Sequence, residues 1–225
     1  MKNDLTLLYY TDNRMAEYTA DKIRNYLLEV TENKYPIISV SQQPLDFGKN
    51  ICIGDIGKSK YNLYKQILMG VREIKTKYVA LAEDDTLYSP EHFLYRPEDG
   101  VCSYNTNGWF AQPGIDYFWR PNEYKTKSGG HWGCISGTNT LLKDMENYFR
   151  LNPLTYGGDG SSGFLSKMVK RESKDPCVIF IHKVSMGYKQ WKNHYRRYGY
   201  PTDENKCYKL EQFGTVKDLI YNYWR

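Results

Sequence analysis

Three consecutive acids, Glu83, Asp84 and Asp85, follow the strand-like run YVALA at 78–82. Like charges this close repel, so the folded chain must offset them with water, with helix-start N–H groups or with a cation. On an extended backbone, residues two apart project to the same side. That would pair Glu83 with Asp85 as a hard oxygen site for Mn²⁺ or Mg²⁺, with substrate phosphates completing the shell. The plainer alternative is a solvated turn whose acids help start the next helix. Other residues with chemical potential stand at apparent strand ends and loops. They are Thr11 and Asp12, Lys58 in GDIGKSK, Gly137 in HWGCISGTNTLL, Asp159 in YGGDGSSG and His182 closing CVIFIH, with Arg196 and Arg197 in the stretch GYKQWKNHYRRYGY.

The elements that must position these groups can be traced by periodicity. LTLLYY (5–10) reads as a buried strand. Apolar residues then fall at Ala16, Ala20, Ile23, Leu27 and Val30, in alternating steps of four and three that mark one face of a helix. YPIISV (35–40) and NICIG (50–54) read as strands, and Leu63, Ile67, Val71 and Ile74 mark a second helix. Strands alternating with crossover helices predict an α/β fold, a mostly parallel sheet flanked by helices. In such sheets ligands bind beyond the carboxyl ends of the strands, which is where the acids stand.

Ser89 and Pro90 have the chemistry of a helix start. Residues 100–120 are strand-like and aromatic, and RPNEYKTKSGGHWG (120–133) reads as a polar loop. Helices are expected at 140–149, 161–170 and 216–224, and a strand at 177–182. The reading is one body, residues 1–185, with a basic, aromatic extension, 186–225, packed on it.

The chain has 225 residues, 40% hydrophobic and 25% charged, which is ordinary for a globular protein with a sizeable core. Aromatic residues make up 16%, mostly Tyr, and suggest ring-lined polar surfaces. A net charge of +5 favours a phosphate-bearing partner. Five scattered cysteines without a CxxC pair point to neither a disulfide framework nor a zinc knuckle. No apolar run reaches the ~18 residues of a membrane span, and the run at 5–10 is short for a signal peptide. A soluble, cytoplasmic protein is expected.

The order strand–helix–strand, strand–acids, glycine-bearing loop, Gly-Asp turn and strand ending in His resembles the GT-A glycosyltransferases, nearest their family 2-like members. The resemblance covers about residues 5–182. It implies a GT-A-type nucleotide-sugar-binding domain and a donor that is a nucleotide-diphosphate sugar, a UDP-sugar foremost. Glu83 and Asp85 would take the outer positions of the DxD motif as metal ligands, with Asp84 near the ribose. Thr11 and Asp12 would hold the nucleotide base, Lys58 would approach the donor, and Gly137 would line the donor sugar. Asp159 matches the base position of the xED turn, where Gly158 replaces the usual Glu, and implies inversion. His182 matches a further metal ligand, with His194 as competitor. Asp12 or Asn13 could equally cap the first helix.

Lys189, Lys192, Arg196 and Arg197 interleave with Tyr188, Trp191, Tyr195 and Tyr198. This stretch reads as an amphipathic packing segment, as a lid whose cations, Arg196 and Arg197 included, close over the diphosphate, or as a nucleic-acid surface. The acceptor is then a glycan precursor or a hydroxymethylated base in DNA. Two rivals stand: a nucleotidyltransferase, whose Gly-rich loop is missing from TDNRMAEY, and a non-catalytic carbohydrate- or nucleic-acid-binding module.

Overall fold

A computed structural model describes residues 3–120, 131–153, 164–181 and 203–224. The first half alternates as expected: β1 (Leu5–Thr11), α1 (Glu17–Val30), β2 (Ile37–Ser41), β3 (Lys49–Cys52), α2 (Lys60–Val71) and β4 (Tyr78–Glu83). A turn at Asp84 and Asp85 leads to β5 (Thr86–Leu87) and a 3₁₀ turn, Pro90–Leu94. Then come β6 (Val101–Asn105), β7 (Gly108–Ala111), β8 (Phe118–Trp119), β9 (Cys134–Gly137), α3 (Thr138–Leu151), β10 (Lys167–Arg171), β11 (Cys177–Phe180), β12 (Lys206–Cys207) and α4 (Val216–Tyr223).

Seven strands form the main sheet in the order β10-β6-β9-β4-β1-β2-β3. Neighbours pair in parallel except at β9, which runs against both β6 and β4. The α/β architecture with a mostly parallel sheet and flanking helices is therefore present. Period-2 alternation on β1 sends Leu8 and Tyr10 to one face, with Ile67, Val71, Leu141 and Met145 of α2 and α3. Leu5, Leu7 and Tyr9 go to the other face, against Leu27 of α1 and Trp119 and Ile179 of a second sheet. Burial on both faces explains why β1 reads as an unbroken apolar run.

The second sheet, β12-β8-β7-β11-β5, was not foreseen. Its β5, β8 and β12 are 2 residues each, too short to carry a period. A third apolar cluster joins it to α1 and α4 through Ala20, Ile23, Phe118, Val178, Val216 and Leu219. Thr215 caps α4 reciprocally with Asp218, each side chain taking the other's backbone N–H.

The helix expected at 161–170 is corrected where it can be seen. Lys167–Arg171 is strand β10, in parallel register with β6. Leu165 and Ser166 give their N–H groups to the buried carboxylate of Asp144, at 2.7 and 3.0 Å, instead of to a helical ladder. Tertiary pairing overrides a weak local preference here.

α2 lies close on the sheet because residue 70 is glycine. A Cβ there would collide with the Leu8 side chain and stand 2.9 Å from Val40 Cγ2.

Candidate functional site

The carboxyl ends of β1, β2, β3 and β4 all point to one end of the main sheet, since these four strands run in parallel. Glu83 is the last residue of β4 and pairs in register with Tyr10. Its Oε1 accepts a 2.6 Å hydrogen bond from the Tyr10 hydroxyl, and its backbone N–H donates to Tyr88 Oη at 3.0 Å. Asp84 and Asp85 stand in the turn that follows, so the extended-backbone argument for pairing Glu83 with Asp85 does not apply. The two carboxylates still feel each other. Burial pushes the Glu83 carboxyl up to about 8, the charge of Asp85 adds to the push, the Tyr10 hydrogen bond opposes it, and the charge of Asp84 adds a further, smaller push.

Asp84 is bound to the end of β1, where the Thr11 hydroxyl donates to its Oδ2 at 2.5 Å. Thr11 Oγ1 also accepts the N–H of Asn13, whose backbone sits in the left-handed region at φ 55°. One residue back, Asp12 Oδ2 lies 3.9 Å from Lys58 Nζ and 3.9 Å from Arg14 Nε. The Lys58 side chain is 27% exposed and that of Asp12 20%, so this is a partly sheltered ion pair. The structure thus brings Thr11, Asp12, Lys58, Glu83, Asp84 and Asp85 to one end of the sheet, across large separations in sequence.

The helix-cap alternative for Asp12 and Asn13 is overturned. α1 starts at Glu17 behind Ala16, with no side-chain cap. Asp12 Oδ1 instead accepts Arg14 N–H in a local turn, and Asn13 Oδ1 accepts the N–H groups of Gln42 and Gln43, at 2.8 and 2.9 Å. Gly137 does not join the cluster. Paired with Tyr78, it flanks the start of β4 and stands at the N-cap of α3, five residues from Glu83 along the strand, about 16 Å at strand rise. Because β9 is antiparallel, its Cys134 end, and not Gly137, lies toward the acidic end. Asp159, His182, His194, Arg196 and Arg197 lie outside the described residues.

Sequence reasoning missed the polar frame around the acids. Tyr10 and Tyr88 contribute hydroxyls, and Gln66 of α2, 3% exposed, donates from Nε2 to the carbonyls of Thr11 and Val40 at 2.7 and 3.1 Å. Gln42, also 3% exposed, bonds both polar backbone groups of Gly57. One signal was available: in a parallel sheet, a hydroxyl-bearing ring on the last turn of β1 is a neighbour of the last residue of β4.

Among the described residues, no group of three or more His, Cys, Asp or Glu is arranged to hold a metal. The donor set present is Glu83 and Asp85, half-buried hard oxygens whose mutual repulsion already weakens ionisation of Glu83. In donor chemistry alone, such carboxylate oxygens are of the hard type that Mg²⁺ and Mn²⁺ take. Among the described residues, no helix is long and apolar enough to cross a membrane.

No family model and no curated protein matches the chain. Several solved structures do. The bifunctional IspDF from Campylobacter jejuni is 12% identical with a TM-score of 0.43, covering 77% of this chain and 50% of its own. A glycosyltransferase involved in the glycosylation of the major capsid of PBCV-1 is 8% identical with a TM-score of 0.47, covering 87% of this chain and 100% of its own. The mannosyltransferase PcManGT from Pyrobaculum calidifontis, in complex with GDP-Man and Mn²⁺, is 12% identical with a TM-score of 0.48, covering 87% and 61%. The chain spans half the length of the first of these proteins and 61% of the third. With TM-scores this low, the likenesses carry no argument about what this chain does.

Proposed function

We propose that the chain is a glycosyltransferase that moves a sugar from a nucleotide-diphosphate sugar to an acceptor hydroxyl, with Mn²⁺ or Mg²⁺ as cofactor. The observation that carries the reading is the convergence of the Asp84–Thr11 and Lys58–Asp12 contacts with Glu83 and Asp85 at the carboxyl end of one parallel sheet. That end is where α/β sheets bind ligands, and it offers a lysine for diphosphate charge beside carboxylates suited to a hard cation.

A divalent ion held by Glu83 and Asp85 would act as a Lewis acid on the diphosphate leaving group. Lys58 places a positive charge where negative charge builds as that group departs. Thr11 and Asp12 shape the nucleoside side of the site, and Asp84, fixed by Thr11, lies toward the ribose. Asp159 takes the proton of the acceptor hydroxyl, a role that implies inversion at the anomeric carbon. His182 would supply a further ligand to the metal, and Arg196 and Arg197 would meet the charge of the diphosphate. The acceptor is a glycan precursor or a hydroxymethylated base in DNA.

The test is a melting series with UDP, GDP, CDP and dTDP and with the corresponding triphosphates, each with and without Mn²⁺. One nucleotide is expected to stabilise the protein only when metal is present, by about 2.7 kcal/mol at 100 times its dissociation constant. A series in which no nucleotide shifts the melt under any condition would sink the reading. Stabilisation by nucleoside triphosphates alone would favour nucleotidyl transfer.

A further inference from the structure

Lys58 sits in the loop between β3 and α2, whose first residue, Ile53, packs on the core and donates its N–H to Ser41 O at 2.9 Å. Gly54 and Gly57 both have positive φ, 76° and 77°, and a Cβ built on either would meet no atom within 4 Å. The loop is held by hydrogen bonds, and the buried side chain of Gln42 makes two of them. Gln42 Nε2 donates to Gly57 O at 2.9 Å, and Gly57 N–H donates to Gln42 Oε1 at 3.2 Å. Asn62 Nδ2 adds a bond to Gly57 O at 3.1 Å and Asp55 Oδ1 accepts Gly57 N–H at 3.0 Å, but both belong to the same local segment as Lys58. Gln42 lies outside it, just past β2, and its own N–H donates to Asn13 Oδ1 in the β1 loop at 2.8 Å.

We infer that Gln42 is a positioning residue, whose side-chain amide clamps Gly57 to the β1–β2 end of the sheet and thereby sets Lys58 against Asp12 for contact with the donor diphosphate. The residue type suits the task. A carboxamide carries its donor and its acceptor on two adjacent atoms, matching the carbonyl and the N–H of Gly57, and the length of Gln reaches across the gap. A glutamate keeps the acceptor and loses the donor, while methionine fills the space with neither. The inference rests on the donor reading given above and deepens it.

The test is a double-mutant cycle of Gln42→Met with Lys58→Ala, read by calorimetric affinity for the nucleoside diphosphate selected by the melting series, in Mn²⁺. Amide exchange of Gly57 is followed in parallel without ligand. Gln42→Met is expected to speed exchange at Gly57 while leaving β1 and β4 protected. It should weaken the diphosphate about tenfold when Lys58 is present and less than about twofold in the Lys58→Ala background. Should Gln42→Met not fold, Gln42→Asn, which keeps the amide but is one methylene too short to reach Gly57, replaces it in the same cycle with the same expected pattern. Additive losses, or unchanged exchange at Gly57, overturn the role. If wild-type protein binds no nucleoside diphosphate, the donor reading fails and this role falls with it. If wild type binds and the losses add, this role alone is lost.

Discussion

Glu83 is placed where its charge costs most, at a strand end, half-buried, beside two more carboxylates. Its ordinary value of 4.5 is raised to about 8, chiefly by burial and then by the charge of Asp85. Between those values the folded state binds a proton that the unfolded chain has released, so stability must fall as pH rises through that window. Melting temperatures measured without metal should therefore decline from about pH 6.5 to pH 8, above the range where an opposing group titrates, and Glu83→Gln, which still accepts from Tyr10, should flatten the decline. Asp85→Asn relieves the repulsion, so it should leave the metal-free protein as stable as wild type or more so at pH 8, while abolishing Mn²⁺-dependent stabilisation by nucleotide. Melting curves with and without Mn²⁺ and nucleotide check both. Part of this site was legible in the sequence. Strand-end acids, a residue following β1 and a lysine preceding α2 must share one end of a parallel sheet, and Thr11, Asp84, Asp12 and Lys58 do meet. The roles of Asn13, Gln42 and Gln66 were not legible, because each acts through a contact between segments distant in sequence. Gly137 was misplaced because composition does not reveal that β9 runs antiparallel and carries it to the far end.

The elements show why reading succeeded in the first half of the chain and failed later. From β1 to β4, local periodicity and tertiary role agree, so strands and helices alternate where the apolar pattern puts them. β10 has mixed, half-exposed residues, and its state is decided by pairing with β6 and by the Asp144 carboxylate that takes the N–H groups of Leu165 and Ser166. α2 matters most for the site, because it carries Gln66 to the β1 and β2 carbonyls and follows directly on Lys58. Its seat depends on Gly70, with Leu8 and Val40 against the missing Cβ. Gly70→Val should overpack this contact and destabilise the protein by about 1–3 kcal/mol in urea unfolding. Because the displacement would be felt at Gln66 and Lys58, nucleotide affinity should drop with it. Unchanged stability in that variant would mean that the helix is not seated as described.

At the scale of the whole molecule, Glu83 and the buried His92 set opposite limits to the pH range of stability. His92 is fully buried near the junction of the two sheets, next to Tyr88, Phe93 and Trp132, with Nδ1 3.1 Å from Asn105 Nδ2 and 3.4 Å from an Arg171 nitrogen. Burial, and then the Arg171 charge, pull its imidazole from 6.5 down to about 3. In that window the unfolded chain binds the extra proton, so this contribution is lost as pH falls. The Glu83 contribution is lost as pH rises from 4.5 to about 8, so the two slopes oppose each other between 4.5 and 6.5. Melting temperature without metal should form a plateau there and fall on both sides. His92→Gln should weaken the acid limb, and Glu83→Gln the alkaline one. The measurement that tests the central claim most directly is the electron paramagnetic resonance signal of free Mn²⁺, titrated with protein in the presence and absence of the selected nucleoside diphosphate. Protein and nucleotide together should deplete the signal well beyond what nucleotide alone achieves, and Asp85→Asn should restore it. A signal indifferent to the protein would contradict the claim that the acids at the end of β4 are completed by a metal and a diphosphate.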